Sequence, residues 1–286
     1  MLLAAFIKDA IDRLARTSVD NPALDARLLI GHVLGLDRAA LLAQSARALT
    51  NDEEKACHAL LDQRAAGKPV SRIVGKREFW RLPFGLNKAT LDPRPDSETM
   101  IEVLVSLWKT GWGKKEKNER ILDLGTGTGC LLLSLLHERP NATGLGVDVT
   151  DDAVTQAKKN ADALDFEKRA TFVQSDWFQN VTGTFDIIVS NPPYIETNTL
   201  QTLQREVRLF DPTKALDGGD DGLTPYRLLI PQLARFLNLG GLAAFEIGQS
   251  QADAVAAMLQ NNNFTTITKH KDLSGIVRVV MGRISF

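Results

Sequence analysis

Cysteine is nearly missing from this chain: Cys57 and Cys130 are the two it has, too few for a disulfide framework or a four-cysteine zinc site. No apolar run approaches the roughly 20 residues that cross a bilayer. The opening MLLAAFIKDA is apolar, but it has no basic stretch before it and no small-residue cleavage site after it, so no secretory signal is expected. An excess of one charge is missing too. Lys and Arg number 34 against 35 Asp and Glu, a net charge of -1, whereas proteins that grip phosphate backbones carry a basic excess or stripe. The one lysine cluster, Lys114, Lys115 and Lys117 around Glu116, is flanked by glycine and reads as a solvated linker. Of the four histidines, His32 and His58 read as ordinary helix residues, and His137 and His270 have no partner at motif spacing. The expectation is therefore a cytoplasmic protein with no metal, no membrane and no stable nucleic-acid partner.

What is present is ordinary globular material, 44% hydrophobic and 24% charged over 286 residues, enough for one large domain or two unequal ones. Residues 1–72 read as helical, with Ile7, Ile11 and Leu14, then Leu24, Leu28 and Leu29, recurring on one face. Asn21-Pro22 fits a helix start with proline in the first turn, and Thr50 with Glu53 fits a capping box. Residues 73–92 change character. Phe79, Trp80, Leu82, Phe84 and Leu86 alternate with Pro83 and Gly85, which suits a hairpin. It ends in Asp92-Pro93-Arg94-Pro95, a backbone stiffened on both sides of an arginine.

Residues 93–286 alternate strand and helix. Strands are expected over 120–124, 144–148, 171–174, 185–190, 242–247, 265–269 and 277–281, and helices over 130–138, 151–164, 225–239 and 251–260. Gly240-Gly241 is taken as the stop of the third of these helices. Such alternation argues for a mainly parallel sheet covered on both faces, with the last two strands as an antiparallel hairpin at one edge.

Two signals carry chemistry. The first is Asp123-Leu-Gly125-Thr126-Gly127-Thr128-Gly129, directly after a strand. Glycines at alternate positions let the backbone turn sharply and approach a ligand, and the following helix start offers unpaired N–H groups. Asp148, 19 residues beyond Gly129, ends the next strand, where a carboxylate can accept ribose hydroxyls. A dinucleotide fold wants glycine or alanine at the sixth motif position. Cys130 stands there, so the pattern suits S-adenosylmethionine better. Asp176 and Trp177, after the third strand, fall where adenine would lie.

The second signal is Asn191-Pro192-Pro193-Tyr194, at the end of the buried-type strand 185–190. In open α/β sheets ligands sit beyond the carboxyl ends of the strands, which puts this tetrapeptide beside the glycine loop. Two prolines donate nothing and leave carbonyls free to accept, the asparagine carboxamide adds an oriented acceptor, and Tyr194 adds a flat face. Such a set holds a planar –C–NH2 group by its hydrogens, as methyl transfer to an amide or exocyclic amine requires.

With these residues in hand, the chain resembles the bacterial release factor glutamine methyltransferases, the PrmC/HemK family, over essentially its whole length. The resemblance is carried by Glu78-Phe-Trp, Asp92-Pro-Arg-Pro-Asp-Ser-Glu98, Asp123 to Gly129, Asn191 to Tyr194, Asp211-Pro with Ala215-Leu, and Lys271-Asp-Leu-Ser-Gly275. The glycine loop is common to many methyltransferases; its combination with Pro-Arg-Pro and Asn-Pro-Pro-Tyr is far more specific. The resemblance implies a five-helix N-terminal domain, a hairpin, and a seven-stranded Rossmann-like methyltransferase domain dependent on S-adenosylmethionine, with S-adenosylhomocysteine as product. It implies N5-methylation of the glutamine in the Gly-Gly-Gln loop of class-1 release factors, the expected protein partners. The helical domain, which carries no catalytic constellation, reads as a partner-recognition module, with a purely stabilising role as the alternative. Gly125, Thr126, Gly127, Thr128, Gly129, Asp148, Trp177 and Asn191 would contact the cofactor, and Asn191, Pro192, Pro193 and Tyr194 the glutamine. Two departures, Cys130 where alanine or serine is common and Arg81 after Trp80, touch no expected contact. The competing readings are an N6-adenine methyltransferase, which the same tetrapeptide could serve but the near-neutral charge opposes, and a glutamine methyltransferase of a ribosomal protein.

Overall fold

The computed structural model describes residues 1–112 and 118–285, so the expected linker at 114–117 lies outside the described residues. The chain divides into two compact units, one of Met1–Lys76 with Gln204–Phe210 and one of Arg77–Leu203 with Asp211–Phe286.

The first unit begins with five helices: α1 (Leu3–Leu14), α2 (Pro22–Leu34), α3 (Arg38–Ala43), α4 (Asn51–Ala65) and α5 (Val70–Val74). Pro22 opens α2 where a missing N–H costs nothing. Both hydrogen bonds of the Thr50–Glu53 capping box are present at the start of α4. Leu3, Phe6, Leu14, Leu29, Ile30 and Leu61 close the core of this unit. In chain order the segment 204–210 comes much later, yet it completes this unit. Arg64 is buried on α4 and binds Asp25 at 2.6 Å and Glu206 at 2.7 Å. Two carboxylates thus satisfy one buried guanidinium, which alone would be costly to desolvate.

The hairpin of β1 (Lys76–Phe79) and β2 (Leu82–Gly85) follows, all but Lys76 of it in the second unit. Trp80 and Arg81 both take positive φ at its turn, the twist a two-residue hairpin needs. Phe79 and Phe84 meet edge to face at 6.2 Å. Helix α6 (Glu98–Lys109) follows, and then β3 (Arg120–Leu124), α7 (Cys130–Glu138), β4 (Thr143–Asp148), α8 (Asp151–Ala163), β5 (Ala170–Gln174) and β6 (Phe185–Ser190). After β6 come α9 (Arg205–Phe210), which belongs to the helical unit, α10 (Thr224–Leu229), β7 (Leu237–Glu246), α11 (Ala252–Asn261), β8 (Phe264–Lys271) and β9 (Val277–Ile284).

The seven strands β3 to β9 form one sheet in the order β5-β4-β3-β6-β7-β9-β8. Strands β3 to β7 run parallel, and β9 is antiparallel between β7 and β8. Successive side chains of a strand point to opposite faces. Accordingly Ile187 and Val189 of β6 join the core under α6, α7 and α8, while Ile188 joins the core under α10 and α11. From β3 the chain builds outward first on one side and then on the other. The switch lies between β3 and β6, where such sheets open a crevice beyond their carboxyl ends.

One expectation is corrected. Residues 225–239 do not form a single helix: α10 stops at Leu229, a 3-10 turn spans Ile230–Arg235, and β7 begins at Leu237. Pro231 has no N–H for the helical ladder and its ring crowds the preceding turn. Gly240 and Gly241 therefore lie inside β7 rather than at a helix end. They take up the register shift between the pairs Phe185–Leu237 and Ile187–Leu242, with Gly240 at φ 72°.

Gly146 sets how closely β4 can lie under the loop that follows β3. A Cβ there would stand 2.6 Å from the Phe172 ring and 2.7 Å from Thr126 Oγ1. Gly146→Ala should therefore destabilise the fold by about 1–3 kcal/mol, the usual range for overpacking a filled core. Urea unfolding with an unchanged midpoint would show that Phe172 has room to yield.

Candidate active site

The loop after β3 is built for close approach. Gly125, Gly127 and Gly129 have φ of 76°, 54° and 80°, a region that side-chain-bearing residues avoid. Gly125 and Thr126 donate to the Val147 carbonyl at 2.9 and 2.8 Å, which folds the loop onto the end of β4. Each glycine has its own reason. A Cβ at Gly129 would press on the Phe172 ring at 3.2 Å, whereas one at Gly127 would meet nothing within 4 Å. Bare backbone at Gly127 thus faces open space.

Asp148, at the tip of β4, is locked in place. Its Oδ2 accepts from Gly127 N at 3.0 Å, and its Oδ1 accepts from Thr150 N at 3.0 Å and Thr150 Oγ1 at 2.9 Å. Below the loop, Asp123 is fully buried and accepts from Thr126 Oγ1 at 2.7 Å. Burial, aided by the charge of Asp148, pushes its carboxyl up to about 7. Asn160 of α8 ties this loop to the hairpin. It donates to the carbonyls of Thr128 at 2.8 Å and Gly85 at 3.1 Å, and accepts from Gly85 N at 2.8 Å.

Beyond β5, Trp177 is held at φ 50°, a strained state for a bulky residue. Ser175 supports it, donating to the Trp177 carbonyl at 2.8 Å and accepting from Asn180 N at 2.9 Å. The six-membered ring of Trp177 lies 3.5 Å from where a Gly125 Cβ would be, so the glycine leaves room for the indole.

Beyond β6, Asn191 donates through Nδ2 to Ser97 Oγ at 3.2 Å. The Tyr194 hydroxyl points to Glu246 Oε1 at 3.4 Å, and the Tyr194 carbonyl accepts from Gln251 Nε2 at 2.9 Å. Glu246, at the end of β7, is buried; desolvation raises its carboxyl to about 7. The facing wall comes from the stiff loop at 92–97. Arg94 pairs with Asp211, and Asp96 with Arg278 at 3.1 Å. Arg278 is also held at 3.0 Å by Asp272 of the turn joining β8 and β9.

One cleft gathers most of the residues singled out from the sequence. Gly125, Thr126, Gly127, Thr128, Asp148, Trp177, Asn191 and Pro193 line it, together with Asp176. Gly129, Pro192 and Tyr194 are not part of that lining. Gly129 packs on Phe172, Pro192 is buried, and the Tyr194 ring lies against the core beneath α10 and α11. Sequence reasoning missed Ser97, Asn160, Thr150 and Glu246. For Glu246 a signal existed: it is the lone acid in the apolar run 242–247. Among the described residues no group of His, Cys, Asp and Glu could hold a metal ion, and no helix is long and apolar enough to cross a membrane.

The seven-stranded sheet and the cleft at its switch point are those of a Rossmann-like methyltransferase, and residues 115–277 match the family model described as Methyltransferase domain. The crystal structure of a methyltransferase from Pyrococcus furiosus shares the fold, with a TM-score of 0.52 and 17% identity over 72% of this chain and 90% of that one. Residues 5–75 match the model described as PrmC N-terminal domain. The release factor glutamine methyltransferase of Rhodospirillum rubrum is 47% identical over 95% of this chain and 82% of its own length. That of Agrobacterium fabrum is 43% identical over 95% and 93%. The chain belongs to the release factor glutamine methyltransferase family.

The buried acids leave a thermodynamic signature. Between about pH 4 and 7 the folded protein keeps an Asp123 proton that the unfolded chain, with its carboxyl near 3.8, has already lost. Stability therefore falls as pH rises through that window and levels off above about 7, by at most about 1.4 kcal/mol per pH unit for one group. Glu246 acts in the same direction. Asp123→Asn should flatten this slope in urea titrations across the window, whatever its absolute stability. An unchanged slope would show that Asp123 is already ionised in the folded state.

Proposed function

We propose that this protein transfers a methyl group from S-adenosylmethionine to N5 of the glutamine in the Gly-Gly-Gln loop of class-1 peptide chain release factors, releasing S-adenosylhomocysteine. The observation that carries the reading is the Asn191 carboxamide, which lines the cleft with its nitrogen engaged by Ser97, an arrangement that leaves its oxygen to accept. Family membership supplies the substrate class.

The cradle suits this cofactor. Bare backbone at Gly127 offers an approach that any Cβ would narrow. Asp148 is oriented in advance, and its Oδ2, with one donor in place, retains capacity for a ribose hydroxyl. Trp177 and Asp176 line the cleft where adenine would lie. We assign Gly125, Thr126, Gly127, Thr128, Gly129, Asp148, Trp177 and Asn191 to the cofactor, and Asn191, Pro192, Pro193 and Tyr194 to the glutamine.

When bound, S-adenosylmethionine supplies a methyl group on a cationic sulfur, an electrophile that needs no metal. The task left to the protein is to orient a poor nucleophile. An amide nitrogen holds its lone pair in resonance with its carbonyl. Asn191 Oδ1 and the proline carbonyls accept the two amide hydrogens, fix the amide plane in the cleft and push electron density towards nitrogen. The N–CH3 bond forms as the S–CH3 bond breaks, and the surplus amide proton then leaves to water, so no strong base is required. Preorganised acceptors of this kind cost no reorganisation at the moment of transfer.

Residues 1–72 hold none of the proposed contacts. We assign them to recognition of the folded release factor, where remote binding energy orients the reacting group. The compartment is the cytoplasm, in keeping with two free cysteines. The decisive experiment is mass spectrometry of a purified release factor incubated with this protein and S-adenosylmethionine. One added methyl, mapped to the loop glutamine, is expected. An unmodified release factor, or methyl appearing on adenine of added nucleic acid instead, would overturn the assignment.

A further inference from the structure

Pro192 and Pro193 have no N–H, so no backbone donor can fasten the middle of the Asn-Pro-Pro-Tyr segment. Its position must be set from its two ends. At the first end, β6 carries Asn191 out of the sheet. At the second end a distant side chain meets the backbone: Gln251, the residue before α11. Its Nε2 donates to the Tyr194 carbonyl at 2.9 Å and to the Gly222 carbonyl at 3.1 Å, and its Oε1 accepts from Gly248 N at 2.9 Å. Three segments, after β6, before α10 and after β7, are thus joined through one buried carboxamide.

The backbone around this carboxamide is shaped to admit it. Gly222 has φ of 70°, and a Cβ there would stand 2.3 Å from the Tyr194 oxygen and 2.5 Å from Gln251 Nε2. A Cβ at Gly218 would stand 2.8 Å from Tyr194 Cα. Only bare backbone comes so close. Ile195 adds a short parallel bridge beside the contact, donating to the Leu216 carbonyl at 2.9 Å and accepting from Gly218 N at 2.8 Å. The loop that precedes α10 is therefore laid directly against the Tyr194 backbone, with Gln251 as the side chain between them.

We propose that Gln251 is a positioning residue for the methyl-transfer step: by tying the Tyr194 carbonyl to that of Gly222, it fixes the far end of the segment that holds the substrate amide. The inference rests on the reading that Asn191 to Tyr194 hold the glutamine. The two prolines keep φ near about −65°. With Asn191 set by β6 and the Tyr194 carbonyl set by Gln251, little freedom is left to Pro193, which lies between them and lines the cleft. Gln251 itself is outside that lining, so it acts through the segment and not on cofactor or substrate. A carboxamide nitrogen has two hydrogens to give, and both are used here. Without them the carbonyls of Tyr194 and Gly222 face each other with no donor between, and the segment shifts. A displacement on the order of 1 Å at a reacting group costs about 100-fold in rate.

The test is single-turnover methylation of a folded release factor by Gln251→Met, with both substrates saturating, beside calorimetric titration of S-adenosylmethionine at the same temperature. Methionine is close to glutamine in size and flexible enough to fill the site, but it has no hydrogen to donate. A role in filling space alone would leave this variant near the wild type. The positioning role predicts a transfer rate lower by at least about tenfold, with cofactor affinity changed by less than about threefold, because the glycine loop and Asp148 remain. A Gln251→Met enzyme that transfers at the wild-type rate would overturn the inference. So would an equal loss of transfer and of cofactor affinity, the mark of a damaged fold rather than of a displaced segment. Gln251→Asn keeps the carboxamide but withdraws it by one methylene. It takes the place of the methionine variant should that one not fold, with the same expected split and the same two contradicting results. Because these outcomes compare variants with a wild type that methylates the release factor, they are distinct from failure of the proposed function, in which the wild type forms no such product.

Discussion

The hydrogen bond from Asn191 Nδ2 to Ser97 Oγ joins two segments 94 residues apart in the chain, and the rest of the cleft is arranged so that this contact can exist. On one side, β6 is a central strand buried on both faces, which brings Asn191 to a fixed height at the carboxyl edge of the sheet. On the other, Ser97 closes a short stiff segment that is tied down twice. Arg94 pairs with Asp211, and Asp96 pairs with Arg278, itself held by Asp272. An exposed ion pair contributes little to stability. Here the pairs have a geometric role: they hold a proline-stiffened backbone so that one hydroxyl meets one carboxamide.

The same logic governs the glycine loop. Three left-handed glycines turn the chain, but their positions are dictated by packing on one side and by open space on the other. Phe172, Ala157 and Asn160 press from below, Trp177 leans in from the side, and Asp148 fixes the tip by accepting from Gly127. Two carboxyl groups, Asp123 and Glu246, are buried beneath this apparatus and titrate near neutrality. Buried acids of this kind cost stability. Their placement directly under the two halves of the cleft is where strained and destabilising features are tolerated in exchange for preorganisation.

Features whose cause is local were legible in the sequence. The Thr50–Glu53 capping box, the Pro22 helix start, the glycine loop and the buried-type run of β6 each depend on neighbours a few residues away. The hairpin was legible from aromatic alternation, although nothing announced that Trp80 and Arg81 would occupy its turn with positive φ. Where tertiary context decides, local reading failed. The apolar spacing over 225–239 suits a helix, but Pro231 breaks the ladder and pairing with β6 draws Leu237 into the sheet. The contacts of Ser97 and Asn160 were not legible for a related reason: each is an ordinary polar residue whose partner lies 94 or 75 residues away. Arg64 is another such case, since its second carboxylate comes from Glu206, 142 residues on.

The central claim is that the Asn191 carboxamide acts on the methyl-transfer step rather than on cofactor retention. Single-turnover transfer by Asn191→Ala, measured beside its affinity for S-adenosylmethionine, addresses that claim most directly. The account predicts a transfer rate lower by at least about 100-fold, the scale for losing one oriented polar group from a preorganised site. Cofactor affinity should weaken by no more than about tenfold, roughly 1.4 kcal/mol, because the glycine loop and Asp148 remain. A transfer step left intact, with the loss confined to cofactor binding, would contradict it.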